Sequence, residues 1–174
     1  VTAPTTIAAA DLAALRWVQD HARGDAVVTG ARLLSHAGEH AAAWIGTGLL
    51  GAALDRRRRP AWLVATGAVV AAHGASVVLK RVARRHRPLD HRVQVRVAVP
   101  SRWSMPSSHA TSTTAAAVVF APLLGVPTWP LVPAMAASRL VLGVHYPSDV
   151  TAGALLGAAT AVVARRTATR LGVR

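Results

Sequence analysis

The chain has 174 residues, of which 52% are apolar and 16% charged, and it contains no cysteine. That composition excludes a disordered polyelectrolyte, and the missing cysteines exclude disulfide frameworks, thiolate zinc sites and cysteine nucleophiles. Twenty basic residues against seven acidic ones leave a net charge of +13, which on so apolar a chain points to anionic lipid or a phosphorylated substrate at a membrane surface.

One domain over 1–174 is expected at this length. The N-terminal stretch lacks the basic start and apolar run of a signal peptide. From Asp11 to Arg23, Leu12, Leu15 and Val18 recur at helical spacing, interrupted by Arg16, Asp20 and Arg23. Residues 1–25 therefore read as an amphipathic interfacial helix. Ala41 to Leu54 is apolar and extends back to about Val27, taking in Arg32 and Glu39. Ala61 to Leu79 and Ser108 to Val126 each run 19 residues without formal charge; His109 is the only ionisable group in the second. Such runs are long enough for the hydrocarbon core. Trp129 to His145 is apolar apart from Arg139, and Val150 to Ala164 is built of Ala, Val, Leu, Gly and Thr. Small residues throughout let membrane helices approach closely. The expectation is an all-α integral membrane bundle of five transmembrane helices over 27–166, preceded by the interfacial helix. A soluble Ala-rich bundle would not be apolar around the whole circumference of its helices.

Alternation of five spans sorts the loops. Residues 80–107 and the 145–149 turn share one face. Arg56 to Arg59 and a tail with Arg165, Arg166 and Arg170 share the other. The first face carries Lys80 with six residues before Arg87-Pro88, then Pro106-Ser107-Ser108-His109. It ends with Ser138-Arg139, five residues, His145, three residues and Asp149. Lys80 is the only lysine among the twenty basic residues.

Phosphoryl transfer needs such a set. Cations hold the non-bridging oxygens and neutralise developing charge. Arg87 and Arg139 can grip oxygens in pairs, and Lys80 acts as a point charge. Ser107 and Ser108 open a helix whose first N–H groups and positive dipole end suit an anion. One histidine attacks or activates the nucleophile and another protonates the leaving oxygen. A carboxylate beside the first fixes its tautomer.

The three motifs, in this order and at these spacings, resemble the signature of the type 2 phosphatidic acid phosphatase superfamily, which includes membrane lipid phosphatases and soluble vanadium haloperoxidases. The resemblance covers residues 80–149 (motifs at 80–88, 106–109 and 138–149), and the flanking helices suit the family's α-helical core. It implies that His145 is the nucleophile and forms a phosphohistidine, and that Asp149 orients it. It implies that His109 protonates the leaving group and then helps water attack. Lys80, Arg87, Arg139 and the Ser107 and Ser108 backbone would hold the phosphate. Ser108 stands where many members have glycine, a change that keeps the backbone N–H. No metal or other cofactor is needed in this mechanism. The run from Ser108 to Ala115 is similar to the decaprenylphosphoryl-phosphoribose phosphatase subgroup of cell-wall arabinan synthesis. Undecaprenyl pyrophosphate, phosphatidylglycerol phosphate and phosphatidic acid are the alternative substrates.

Other residues read less specifically. Arg81, Arg84, Arg85, Arg92, Arg96 and Arg102 form a solvated or headgroup-facing set, and Trp103 an interface anchor. His73 reads as packed neutral within its span, and His86 and His91 have no evident partner. His36-Ala37-Gly38-Glu39-His40 matches a metalloprotease pattern. It lacks a further glutamate ligand, because Glu39 is the only Glu in the chain. Glu39 reads instead as a carboxylate near the substrate's way in. A basic lipid-binding scaffold would use the same face without the histidines. A nucleic-acid binder would not carry two charge-free runs, and a haloperoxidase does not suit a short hydrophobic chain. The expected partner is a lipid-linked phosphate in a bacterial plasma membrane. Basic loops normally stay cytoplasmic, but both faces are basic here, and the resemblance favours an active site facing out.

Overall fold

The computed structural model describes residues 6–173, so the first residues of the expected interfacial helix lie outside the described part. Seven α-helices follow in chain order: α1 (Thr6–His21), α2 (Asp25–Gly38), α3 (Ala42–Leu54), α4 (Arg59–Ala83), α5 (Ser108–Leu124), α6 (Leu131–Val141) and α7 (Pro147–Arg170). No strand occurs among the described residues, so the all-α expectation holds.

α5 is the central helix. Thr111 to Ala117, Val119 and Phe120 are buried on it, between α4 and α7. Its serines and threonines tolerate burial because several bond back to the preceding turn, as Thr111 Oγ1 does to the Ser107 carbonyl at 2.9 Å. α7 comes close through small residues. A Cβ on Gly157 would overlap the Thr111 carbonyl oxygen, and one on Gly153 would stand 2.5 Å from that of Ser107. Alanine at either position would push the two helices apart. Trp62 and Phe120 pack tilted, 5.7 Å between centroids, at the far end. Outward, α3, α4 and α7 expose Leu50, Leu54, Val70, Val78, Leu155 and Val163. So much exposed apolar surface suits lipid rather than water.

The five full spans expected from the sequence are not all seen. Among the described residues, α4 and α7 are long and apolar enough to cross a bilayer. α5 has 17 residues and α6 only 11 of the 17 expected between Trp129 and His145. At 1.5 Å per residue α6 covers about 16 Å, half a hydrocarbon core. The first expected span is broken into α2 and α3 by a 3₁₀ turn, Glu39–Ala41, where His40 and Ala41 take positive φ of 50° and 58°. Arg165, Arg166 and Arg170 belong to the last turns of α7 and not to a tail.

α1 is an amphipathic helix, but its inward stripe is not the one its leucines suggest. Asp11, Leu15 and Gln19 are buried, while Leu12 and Val18 are half-buried. Gln19 Nε2 donates to the Gln94 and Val141 carbonyls at 2.8 and 3.1 Å. Arg16 pairs with Asp90 at 2.8 Å. α1 thus docks on protein and clamps the long 84–107 loop to α6.

Candidate active site

Four helix ends meet at one place: the C-terminal ends of α4 and α6 and the N-terminal ends of α5 and α7. This is the alternation read from the loops, and it brings Lys80, Arg87, Ser108, His109, Arg139 and His145 onto one cavity of about 540 Å³.

His145 follows a tight turn. Gly143, at φ 70°, ends α6 and reverses the chain against the Gln94 carbonyl, with which a Cβ would overlap. The imidazole is 3% exposed. Its Nε2 stands 3.2 Å from Arg87 Nη1. A guanidinium can only donate, so Nε2 is the acceptor and the ring proton sits on Nδ1. Nδ1 lies 3.6 Å from Asp149 Oδ2, just beyond hydrogen-bond length. Burial pushes the His145 pKa down to about 3, opposed by the Asp149 carboxylate and reinforced by Arg87 and Lys80. The ring is therefore neutral at pH 7, with its Nε2 lone pair toward the cavity's cations.

Asp149 itself is fully buried. It sits at the third position of α7, where Oδ2 accepts the Tyr146 N–H at 2.8 Å and closes a capping box. Its Oδ1 accepts from Arg85 Nη1 at 2.9 Å. Arg85 reaches back with Nη2 to Asp11 Oδ2 at 2.7 Å and covers the Tyr146 ring at 4.3 Å. Asp11 also accepts the Ser148 N–H at 3.0 Å and the Ser148 hydroxyl. Burial pushes the Asp11 carboxyl up, but the bonds from Ser148 and Arg85 outweigh it and hold the pKa below its ordinary value. Arg85 therefore belongs to the site's support and not to a headgroup-facing set. Arg96 is likewise turned inward, donating to the Ala22 and Val141 carbonyls at 3.0 and 3.2 Å.

The cations are held by carbonyls. Lys80 Nζ donates to Ser104 and Trp103 carbonyls at 3.0 and 3.3 Å. Arg87 donates to the Ser101 and Val144 carbonyls at 2.7 and 2.6 Å. Burial lowers its pKa to about 10, which leaves it charged at neutral pH. Arg139 is 2% exposed, and its buried Nη2 has no partner among the described residues. Trp103 is not a free interface anchor: its ring lies against His86 at 4.8 Å and under Arg102 at 4.6 Å.

Ser107 departs from the sequence expectation. It is wholly buried and caps α5, and its N–H donates to the Asp149 carbonyl at 2.9 Å. Its amide is thus occupied, and it does not line the cavity. The first-turn amides left for an anion are those of Ser108 and His109. His109 is fixed from α2, its Nε2 3.0 Å from the Ser35 carbonyl. A carbonyl only accepts, so Nε2 carries a proton and Nδ1 is left for the cavity. A Cβ on Gly38 would stand 2.7 Å from His109 Cδ2, so only glycine lets α2 lie on the ring. Sequence reasoning missed Asp11, Arg85, Ser35 and Gly38 as parts of the site. The i, i+4, i+8 spacing of Asp11, Leu15 and Gln19 on one helix face is the one signal that could have pointed to Asp11.

An all-helical bundle with this cation-and-histidine cavity defines the class. The PAP2 superfamily model matches residues 41–172, and the chain belongs to that superfamily; together with the relatives that follow, this makes it a phosphatase and a membrane protein. Among its relatives is the decaprenylphosphoryl-5-phosphoribose phosphatase of Mycolicibacterium smegmatis, 55% identical over 128 residues, 73% of this chain and 71% of that one. The protein of the same name from Mycobacterium tuberculosis is 50% identical over 134 residues, 76% of each chain. The fold is also that of the transmembrane PAP2 type phosphatidylglycerolphosphate phosphatase of Bacillus subtilis. The TM-score is 0.74 at 20% identity, over 92% of this chain and 87% of that structure.

Proposed function

We propose that the protein removes the sugar-bound phosphate from a polyprenyl-linked phosphoribose, through a phosphohistidine on His145. The observation that carries this reading is the buried, partnerless Arg139 guanidinium nitrogen on the cavity that Lys80, Arg87 and His145 also line. Such a group calls for an anion. The phosphoribose substrate is taken from the mycobacterial relatives' names.

In this mechanism the substrate phosphate draws the Arg87 N–H away from His145 and sits among Arg87, Arg139, Lys80 and the Ser108 and His109 amides. His145 Nε2 attacks phosphorus as the P–O bond to the sugar breaks. Asp149 stabilises the positive charge on the ring through the Nδ1 proton. His109, with Ser35 holding Nε2–H, takes up a second proton on Nδ1 as the phosphate anion binds beside it and gives that proton to the leaving oxygen. It takes a proton back from the water that then cleaves the N–P bond. The products are the dephosphorylated sugar lipid, inorganic phosphate and the starting enzyme. No step calls on a metal.

The cavity accommodates a sugar phosphate head, with the prenyl chain left in the bilayer. We read the broken α2–α3 unit, α4, α5, α6 and α7 as five crossings of a bacterial plasma membrane, with the cavity on the outer side. The five-crossing topology is supported by the alternation of the helix ends. The proposal is tested by phosphate release from synthetic decaprenylphosphoryl-5-phosphoribose in detergent with excess EDTA. Undecaprenyl pyrophosphate, phosphatidylglycerol phosphate and phosphatidic acid serve as comparators. The expected result is the highest kcat/KM on the phosphoribosyl lipid, unaffected by EDTA and inhibited by vanadate. Preference for a comparator refutes the substrate, and loss of activity on chelation refutes the mechanism.

A further inference from the structure

Two unlike sets of residues line the cavity. One is Lys80, Arg87, Arg139 and His145. The other comes from the break between α2 and α3, which presents His36, Glu39 and His40. Asp149 is shut off from the cavity, so among the described residues Glu39 is the one carboxylate that lines it. Glu39 forms no ion pair with any of the cavity's lysine or arginine side chains among the described residues. Its ionic neighbour is His36 Nδ1, at 3.8 Å, and its side chain is about half exposed. Two residues in left-handed backbone, His40 and Ala41, hold the turn that keeps Glu39 at the cavity instead of continuing the helix. Non-glycine residues stay in that region where the surrounding structure enforces it, and such places cluster at functional sites.

A carboxylate inside a phosphate-binding cavity, free of the cations around it, works against every phosphate unless the ligand brings donors to it. Neighbouring hydroxyls are such donors. Two carboxylate oxygens can accept from two of them, as acidic side chains do on ribose in dinucleotide-binding folds. A second phosphate at that position would be repelled. We infer that Glu39 is a sugar-binding residue: it accepts the ribose hydroxyls while Lys80, Arg87 and Arg139 of the same cavity hold the phosphate, and it selects a sugar phosphate over a pyrophosphate or a hydroxyl-free lipid phosphate. This rests on the phosphoribose substrate proposed above for the same cavity, and it adds the residue that would enforce it.

The test uses the full chain in detergent, with His145→Ala in the background so that nothing turns over. Isothermal titration compares ribose 5-phosphate, 2-deoxyribose 5-phosphate and inorganic phosphate, with and without Glu39→Gln. The expected result is that ribose 5-phosphate binds about tenfold more tightly than its deoxy analogue, in line with a hydrogen bond to a charged group. Glu39→Gln should bring that preference to within about twofold while inorganic phosphate binds no more weakly, because a repulsive charge has gone. A preference that survives the substitution overturns the inference. So does weakening of all three ligands alike, or the absence of any preference before the substitution. In the catalytically intact chain, Glu39→Gln should raise KM for the phosphoribosyl lipid and leave kcat/KM for phosphatidic acid unchanged or higher. If the phosphoribosyl lipid is not turned over but the Glu39-dependent ribose preference is found, the lipid assignment falls and the sugar site stands. If that lipid is turned over and its KM is unchanged in Glu39→Gln, the lipid assignment stands and the sugar site falls.

Discussion

The two histidines of the cavity are held in opposite ways. His145 is backed by charge: Asp149 at 3.6 Å, then Arg85, then Asp11. His109 is backed by a neutral carbonyl and a glycine, Ser35 and Gly38. The difference fits the roles proposed for the two rings. A nucleophilic imidazole becomes cationic as it bonds to phosphorus, so a buried negative group behind it lowers that barrier. A ring that must release a proton gains nothing from an anion that would keep it charged. Arg85 fits the same logic, because it is shared between two carboxylates. The Asp11–Arg85–Asp149 set therefore keeps a net negative charge behind His145 where a simple Arg85–Asp149 pair would be neutral.

The most direct way to break the contrast is to remove each ring. His145→Ala should lower kcat on the phosphoribosyl lipid by about 10⁴-fold or more with the fold intact by circular dichroism. His109→Ala should cost about 10²–10⁴-fold. In the pre-steady-state burst with p-nitrophenyl phosphate, whose leaving group needs no proton, most of the His109→Ala loss should vanish, because the water-activating step is not yet reached, while the His145→Ala loss remains. Equal losses on both substrates would undo the division of roles.

The supports come next. Gly38→Ala forces a methyl onto His109, and a displacement of about 1 Å is worth up to about 10²-fold. The loss should again shrink in the p-nitrophenyl phosphate burst. Asp11→Ala leaves Asp149 neutralised by Arg85, and kcat should fall about tenfold with KM little changed. The Asp11→Ala loss should be equal on both substrates, because it acts through His145. Asp11→Glu should restore part of it. A KM effect alone would make Asp11 merely structural.

The smallest effect concerns pH. An unfolded chain's imidazole takes up its proton at about pH 6.5, whereas folded His145 stays neutral down to about 3. Between those values the unfolded state binds more protons, so His145 costs stability as pH falls through about 6.5 and costs nothing above it. The thermal midpoint of the intact chain should therefore drop more between about pH 6.5 and about pH 4 than that of His145→Ala. Parallel curves would mean that the folded His145 pKa is not depressed.

Much of this site was legible in the amino-acid order because each motif lies within a few residues of a helix end. Chemistry confined to short spacings survives without knowledge of packing, and alternation of apolar runs suffices to put Lys80, His109 and His145 on one side. Asp11 and Arg85 were not legible, since they are 74 residues apart and meet only when α1 docks beside α7. Gly38 has no side chain to read, and its contact with His109 exists only once α2 packs against α5.

The order of residues by itself determined that the chain is a helical, lipid-facing bundle with Lys80, His109 and His145 at one rim, because hydropathy and short-range motif spacing are local properties. The packed structure alone decided which arginines turn inward, that Ser107 gives its amide to Asp149, and that the first apolar run breaks at Glu39. Those outcomes depend on which donors and acceptors burial leaves without water, and that is settled between helices rather than along one.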